Sequence, residues 1–136
     1  MKLNGIYTAL ITPFNDDYSI NEKAYAEVIN KIIEEGVHGI VVAGSTGENY
    51  AQTLEERLYL LKLSSEIIDK RVTFIAGTGG VIRTEDSILI AQSAKSNGAD
   101  AIMISSPPYA VPTSKENAIN AIAIEQSVNL PVLLYN

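Results

Sequence analysis

Residues 35–45 read EGVHGIVVAGS and residues 97–107 read NGADAIMISSP. Each runs from a helix-ending glycine, through a short apolar stretch, to small polar residues. Glycine at such a place supplies the left-handed residue with which helices often close. An apolar stretch without apolar–polar alternation is what a strand buried on both faces looks like. The same unit recurs along the chain. Apolar runs at 5–11, 39–43, 72–76, 101–104 and 131–134 are separated by helix-length segments, and the later runs begin about 30 residues apart. Strand, helix and strand at this spacing imply right-handed crossovers and a parallel sheet.

The intervening segments carry helix signals. Ser19 or Asn21 can open the first, with Ala24, Val28 and Ile32 on one face and Gly36 at its end. Thr53 and Glu56 form a capping box for the second, whose Leu54, Leu58 and Leu61 line an inner face. Thr84 can cap the third, followed by Ile88, Ala91 and the stem of Lys95, with Gly98 closing it. Thr113 and Glu116 repeat the capping box for the fourth, whose inner face draws on Ile119, Ile122 and Ala123. Two architectures satisfy this pattern: a doubly wound open sheet, or part of an eight-stranded (β/α)8 barrel. Spacing alone does not separate them.

Bulk properties narrow the function classes. The 136 residues make one domain, 46% hydrophobic and 19% charged, as in ordinary globular proteins. A formal charge of -6 disfavours nucleic acid and anionic membranes as partners. With no cysteine and one histidine, a thiolate zinc site is excluded and other metal chemistry is disfavoured. The opening MKLNGIYTALITPFND turns polar too soon for a signal peptide, and no apolar run spans a membrane. The expectation is a cytoplasmic domain.

In parallel α/β folds ligands bind at the carboxyl ends of the strands. Those ends read ITPF, AGSTGE, AGTGG, SSPPYAVPT and LLYN, rich in hydroxyls, glycines and tyrosines. In Gly44-Ser45-Thr46-Gly47-Glu48 the glycines let backbone amides approach an anion, and two hydroxyls add donors. The stretch lacks the Lys-Ser/Thr ending of a phosphate loop, and a carboxylate suits it better. The same residues also suit a tight strand-to-helix turn capped by Thr46. Tyr109, stiffened between prolines, reads by itself as packing or half of a subunit contact, and Tyr135, at a strand end, as a capped core residue sooner than an acid–base phenol. His38 precedes the second strand and so falls at the opposite, structural end.

Taken in order and at their distances, TALITPF, GIVVAGSTGE, PPYAVP and PVLLYN resemble the dihydrodipicolinate synthase / N-acetylneuraminate lyase family, along essentially the whole chain. The resemblance implies a (β/α)8 barrel, usually oligomeric, that condenses or cleaves 2-oxo acids such as pyruvate through a lysine Schiff base, without a cofactor. It makes Ser45, Thr46 and Gly47 the carboxylate-binding turn, with Thr46 also linking the hydroxyl network to Tyr135. It makes Tyr135 the proton-relaying phenol and Tyr109 the tyrosine lent to a neighbouring subunit, although Pro108 stands where relatives often have a first tyrosine. GSTGE is nearer the sialic-acid lyase branch, PPYAVP nearer the synthases.

The family's Schiff-base lysine belongs to a sixth strand, beyond residue 136. Of the seven lysines, Lys23, Lys31, Lys62, Lys95 and Lys115 fall on helices, Lys2 at the terminus and Lys70 before the third strand. None is placed to substitute. The expectation is a partial barrel of about five strands and four helices, catalytically silent alone, which covers its open face by self-association.

Overall fold

The computed structural model describes residues 3–135. The elements are β1 (Tyr7–Ala9), α1 (Glu22–Glu34), β2 (Gly39–Val42), α2 (Leu54–Ile68), β3 (Thr73–Gly77), α3 (Thr84–Ser96), β4 (Ala101–Ser105), α4 (Ser114–Val128) and β5 (Val132–Tyr135). All five strands are parallel, and their order in the sheet is their order in the chain. Each helix packs on the next, α1 on α2, α2 on α3 and α3 on α4. Sequential order with right-handed crossovers puts every helix on one face, as in a barrel. A doubly wound sheet would reverse its order and place helices on both faces, so that alternative is excluded.

The two faces bury different cores. Outward, Ile40, Val42, Phe74, Ala76 and Ile102 meet helical residues including Tyr25, Ile29, Leu60, Ile90 and Ile124. Inward, Val41, Ile75 and Ala101 form a smaller cluster with Tyr7, Met103 and Leu133. This alternation is the period-two rule of a strand, although both faces being apolar hides it in the sequence. Position 39 faces inward with Val41, and it takes glycine because the ring of Tyr7 lies across it, where a Cβ would fall 2.5 Å from the ring.

The helix signals hold with local exceptions. Asn21 caps α1, its side chain accepting from the Ala24 amide, while Ser19 closes a separate turn with Asp17. Gly36 and Gly98 both adopt φ near +80°, three residues before their strands, at +83° and +79°. Both capping boxes form. Thr84 lies inside α3, and Arg83 takes the capping position without a side-chain bond. Ile119 and Ile122 are exposed, since α4 turns Ile124 and Val128 to the core instead. Lys95 is exposed beside the buried Ala94. The first strand is shorter than its apolar run, because Gly5 at φ +100° bends the chain before it.

Candidate functional site

Past β2 the backbone leaves the sheet sharply. Ala43 adopts φ +56°, and two 3-10 turns follow, Ser45–Gly47 and Asn49–Ala51, joined at Glu48 with φ +57°. The first is closed by the Gly47 amide on Gly44 O (3.1 Å) and the Glu48 amide on Ser45 O (3.0 Å). No acceptor among the described residues takes the amides of Ser45 and Thr46. The turn therefore offers two free N–H groups beside two hydroxyls, a neutral arrangement that suits an anion.

A cleft of about 190 Å³ opens at the carboxyl ends of β2 to β5. Ser45, Asn49 and Tyr50 line it from the β2 loop, Gly77, Gly79 and Gly80 from the β3 loop. Met103, Ser105, Ser106 and Pro108 follow from β4, and Tyr135 from β5. Among the described residues its lining holds five hydroxyls and no charged side chain. The larger hollow, about 490 Å³ around His38, Lys70, Arg71 and Asp100, lies at the opposite ends of the strands. There His38 Nδ1 accepts the Ile6 amide, and the ring covers Gly5, a structural setting.

The structure thus brings Ser45 and Tyr135 to one cleft. Thr46 is exposed and outside the lining, and Gly47 is buried behind the turn. Tyr109 stands clear of the protein, 98% exposed, with φ +68°. Of the lysines, Lys2 lies outside the described residues. The other six sit on helices or, for Lys70, in the turn before β3, and none lines the cleft. Among the described residues no three metal-ligating groups cluster, and no helix is long and apolar enough to cross a membrane.

Sequence reasoning missed Asn49, Tyr50, Ser105 and Ser106. Ser105 and Ser106, at the end of β4, stood in the SSPPYAVPT stretch, whereas Asn49 and Tyr50 lie in the second 3-10 turn, well past β2, where no strand end marks them. It also missed the groups that hold the loops from behind. Asn49 Nδ2 donates to Ala43 O (2.8 Å), and its amide lies against Gly80. Ser87 Oγ donates to Thr78 O (3.1 Å), and the Thr78 amide to Met103 O (2.9 Å). Arg57 of α2, 1% exposed, donates from Nη2 to Gly77 O (3.2 Å) and leaves Nε and Nη1 without partners. Burial pulls its pKa down to about 10.

A sheet in chain order, helices on one face and a hydroxyl-lined cleft at the carboxyl ends define the class: part of a (β/α)8 barrel. The chain belongs to the dihydrodipicolinate synthetase family, whose model matches residues 2–136. It is 40% identical over 136 residues to the 4-hydroxy-tetrahydrodipicolinate synthase of Anaplasma marginale, covering 100% of this chain and 45% of that protein. Among solved structures, the 4-hydroxy-tetrahydrodipicolinate synthase of Methylacidiphilum fumariolicum SolV superposes with a TM-score of 0.94 at 37% identity, over 99% of this chain and 44% of that one. YagE, an E. coli K12 prophage protein of the same family solved with pyruvate, gives 0.93 at 31% identity, over 97% of this chain and 44% of that one. The chain spans less than half the length of these relatives.

Proposed function

We propose that this chain supplies the 2-oxo-acid-binding side of a Schiff-base lyase site and is silent without an amine from outside it. The observation that carries this reading is the convergence of Ser45 and Tyr135 on one hydroxyl-lined cleft. A pyruvate carboxylate is held by the Ser45 and Thr46 amides and hydroxyls, which orients the keto carbon toward an incoming amine. The phenol of Tyr135 gives its proton to the keto oxygen as the amine adds and takes the amine's proton in exchange, so the carbinolamine forms with the phenol restored, and it then protonates the hydroxyl that leaves as water. Ser45 is the residue of the pair that shares the cleft with Tyr135, beside which Ser105 stands in the strand register, and Thr46 completes the carboxylate turn. The relative solved with pyruvate supports the choice of oxo acid. Tyr109, exposed at the tip of its loop, is free to enter a neighbouring subunit's site.

Borohydride reduction in the presence of pyruvate, followed by intact mass spectrometry, tests the reading. The expected result is no adduct, with pyruvate binding seen as shifts of the Ser45 and Tyr135 signals. A trapped adduct would show that one of the seven lysines provides the amine and would overturn the proposal. That no lysine among the described residues lines the cleft also favours a second reading, a non-catalytic, self-assembling half-barrel that binds an oxo acid. Addition of the complementary strands and their lysine discriminates, since only the first reading then gives an adduct.

A further inference from the structure

We infer that Thr12 and Gln52 are positioning residues, which hold the 44–48 turn in its ligand-binding shape from the side facing away from the cleft. The inference rests on the oxo-acid reading given above. Gly47 O accepts two hydrogen bonds, from Thr12 Oγ1 at 2.8 Å and from Gln52 Nε2 at 2.8 Å. Gln52 Nε2 also approaches Thr12 Oγ1 at 3.2 Å, so the hydroxyl accepts there while its single proton goes to Gly47 O. Both lone pairs of one carbonyl are therefore committed to groups 35 and 5 residues away in sequence.

The peptide between Gly47 and Glu48 is fixed by this clamp on its carbonyl side. On its other side the Glu48 amide donates to Ser45 O. Rotation of that peptide would break all three bonds and release Ser45 O, the carbonyl of the peptide that carries the free Thr46 amide. The backbone of β1's end is also pressed against the turn, since a Cβ on Gly47 would meet Leu10 O at 2.9 Å and Thr12 Oγ1 at 3.2 Å. Neither Thr12 nor Gln52 lines the cleft, so any effect on a ligand passes through the turn. Thr12 is buried, and nothing else in its surroundings uses its hydroxyl. The first loop of the barrel thereby sets the geometry of the second.

The test compares Thr12→Val, Thr12→Ser and Gln52→Met in the full chain, with pyruvate titrated by NMR and amide exchange measured at Glu48. Thr12→Val and Gln52→Met are each expected to weaken pyruvate binding about tenfold and speed Glu48 exchange about tenfold, with the Ile75 amide of β3 unchanged. Thr12→Ser, which keeps the donor, is expected to restore both values to within about twofold. Thr12→Val binding pyruvate as tightly as the parent, or Thr12→Ser failing as badly as Thr12→Val, overturns the inference. If Thr12→Val does not fold, Gln52→Met and Thr12→Ser decide between these outcomes. If the parent chain binds no pyruvate, the oxo-acid reading fails. Glu48 exchange then decides on its own whether Thr12 fixes the turn, and unchanged exchange in Thr12→Val overturns that too.

Discussion

Gly77 shows how little freedom a single residue has at this end of the sheet. A Cβ there would lie 2.4 Å from Ala43 O and 2.8 Å from Ala43 C, both backbone atoms that cannot swing aside. Gly77→Ala is expected to lower stability by about 1–3 kcal/mol, the usual range for overpacking, read as a shift in the urea midpoint. The glycine was visible in the sequence as part of AGTGG, but its reason was not, because the clashing carbonyl belongs to the turn that follows β2, far away in the chain. Arg57, Thr12 and Gln52 escaped notice on the same ground, as each acts across a long sequence separation or from a helix interior. Tyr25 is a further buried polar group with a structural role. Ser64 Oγ donates to Leu60 O (2.6 Å), which leaves the Tyr25 phenol to donate to Ser64 (2.7 Å) and join α1 to α2. Burial pushes its pKa above the ordinary phenol range. The folded chain thus keeps this proton longer than the unfolded chain, and the phenol's stabilisation, complete below about pH 10, falls away as pH rises further. Arg57 acts in the opposite sense there, since its lowered folded pKa of about 10 makes stability rise with pH. Comparing parent with Tyr25→Phe isolates the phenol. The variant is expected to lose about 1 kcal/mol at pH 7 and to show a shallower alkaline decline in urea denaturation.

The elements were the most legible level. Thr53-x-x-Glu56 and Thr113-x-x-Glu116 announced helix starts that form as reciprocal caps, and Gly36 and Gly98 announced ends that need positive φ. These signals are local, which is why a single sequence carries them. Thr84 looked like a cap for the same reason, yet its hydroxyl donates to Asn120 Oδ1 (2.8 Å) and ties α3 to α4. Ile119 and Ile122 misled because apolar residues lie around most of α4, so local pattern could not choose which face turns inward. Removing a true cap should be measurable: Thr53→Ala is expected to cost about 1 kcal/mol, seen in the thermal or urea midpoint. At α4 the two bonds from Thr113 hold the Glu116 carboxyl below its usual pKa. This contribution is present above the unfolded value and is lost as pH falls through the lower folded one. Glu116→Gln should therefore flatten stability against pH in the acid range relative to the parent.

For the molecule as a whole, the carboxyl-end loops carried the family resemblance and with it the barrel, while strand–helix spacing alone left the strand order open. A barrel and a doubly wound sheet share the same alternation of strand and helix, and only the hydrogen-bonded order β1 to β5 separates them. That order leaves β1 and β5 as outer edges, with Leu134 and Tyr135 more than half exposed on the latter. Unpaired edges and exposed apolar side chains favour association. Light scattering on the 14.7 kDa chain is expected to give a mass at least twice that value, falling to the monomer when Leu134→Lys places a charge on the edge. A monomeric parent at micromolar concentration would remove self-association from the proposal. The chain-order sheet also bears on how such a protein is made. A ribosome delivers residues from the amino end, and here every strand after the first pairs with the one synthesised just before it. Each new strand of these five meets an edge that already exists, and only the outer edges of β1 and β5 are left without a partner among them. This part of the barrel can be assembled at the pace of its own synthesis, one strand and one helix at a time.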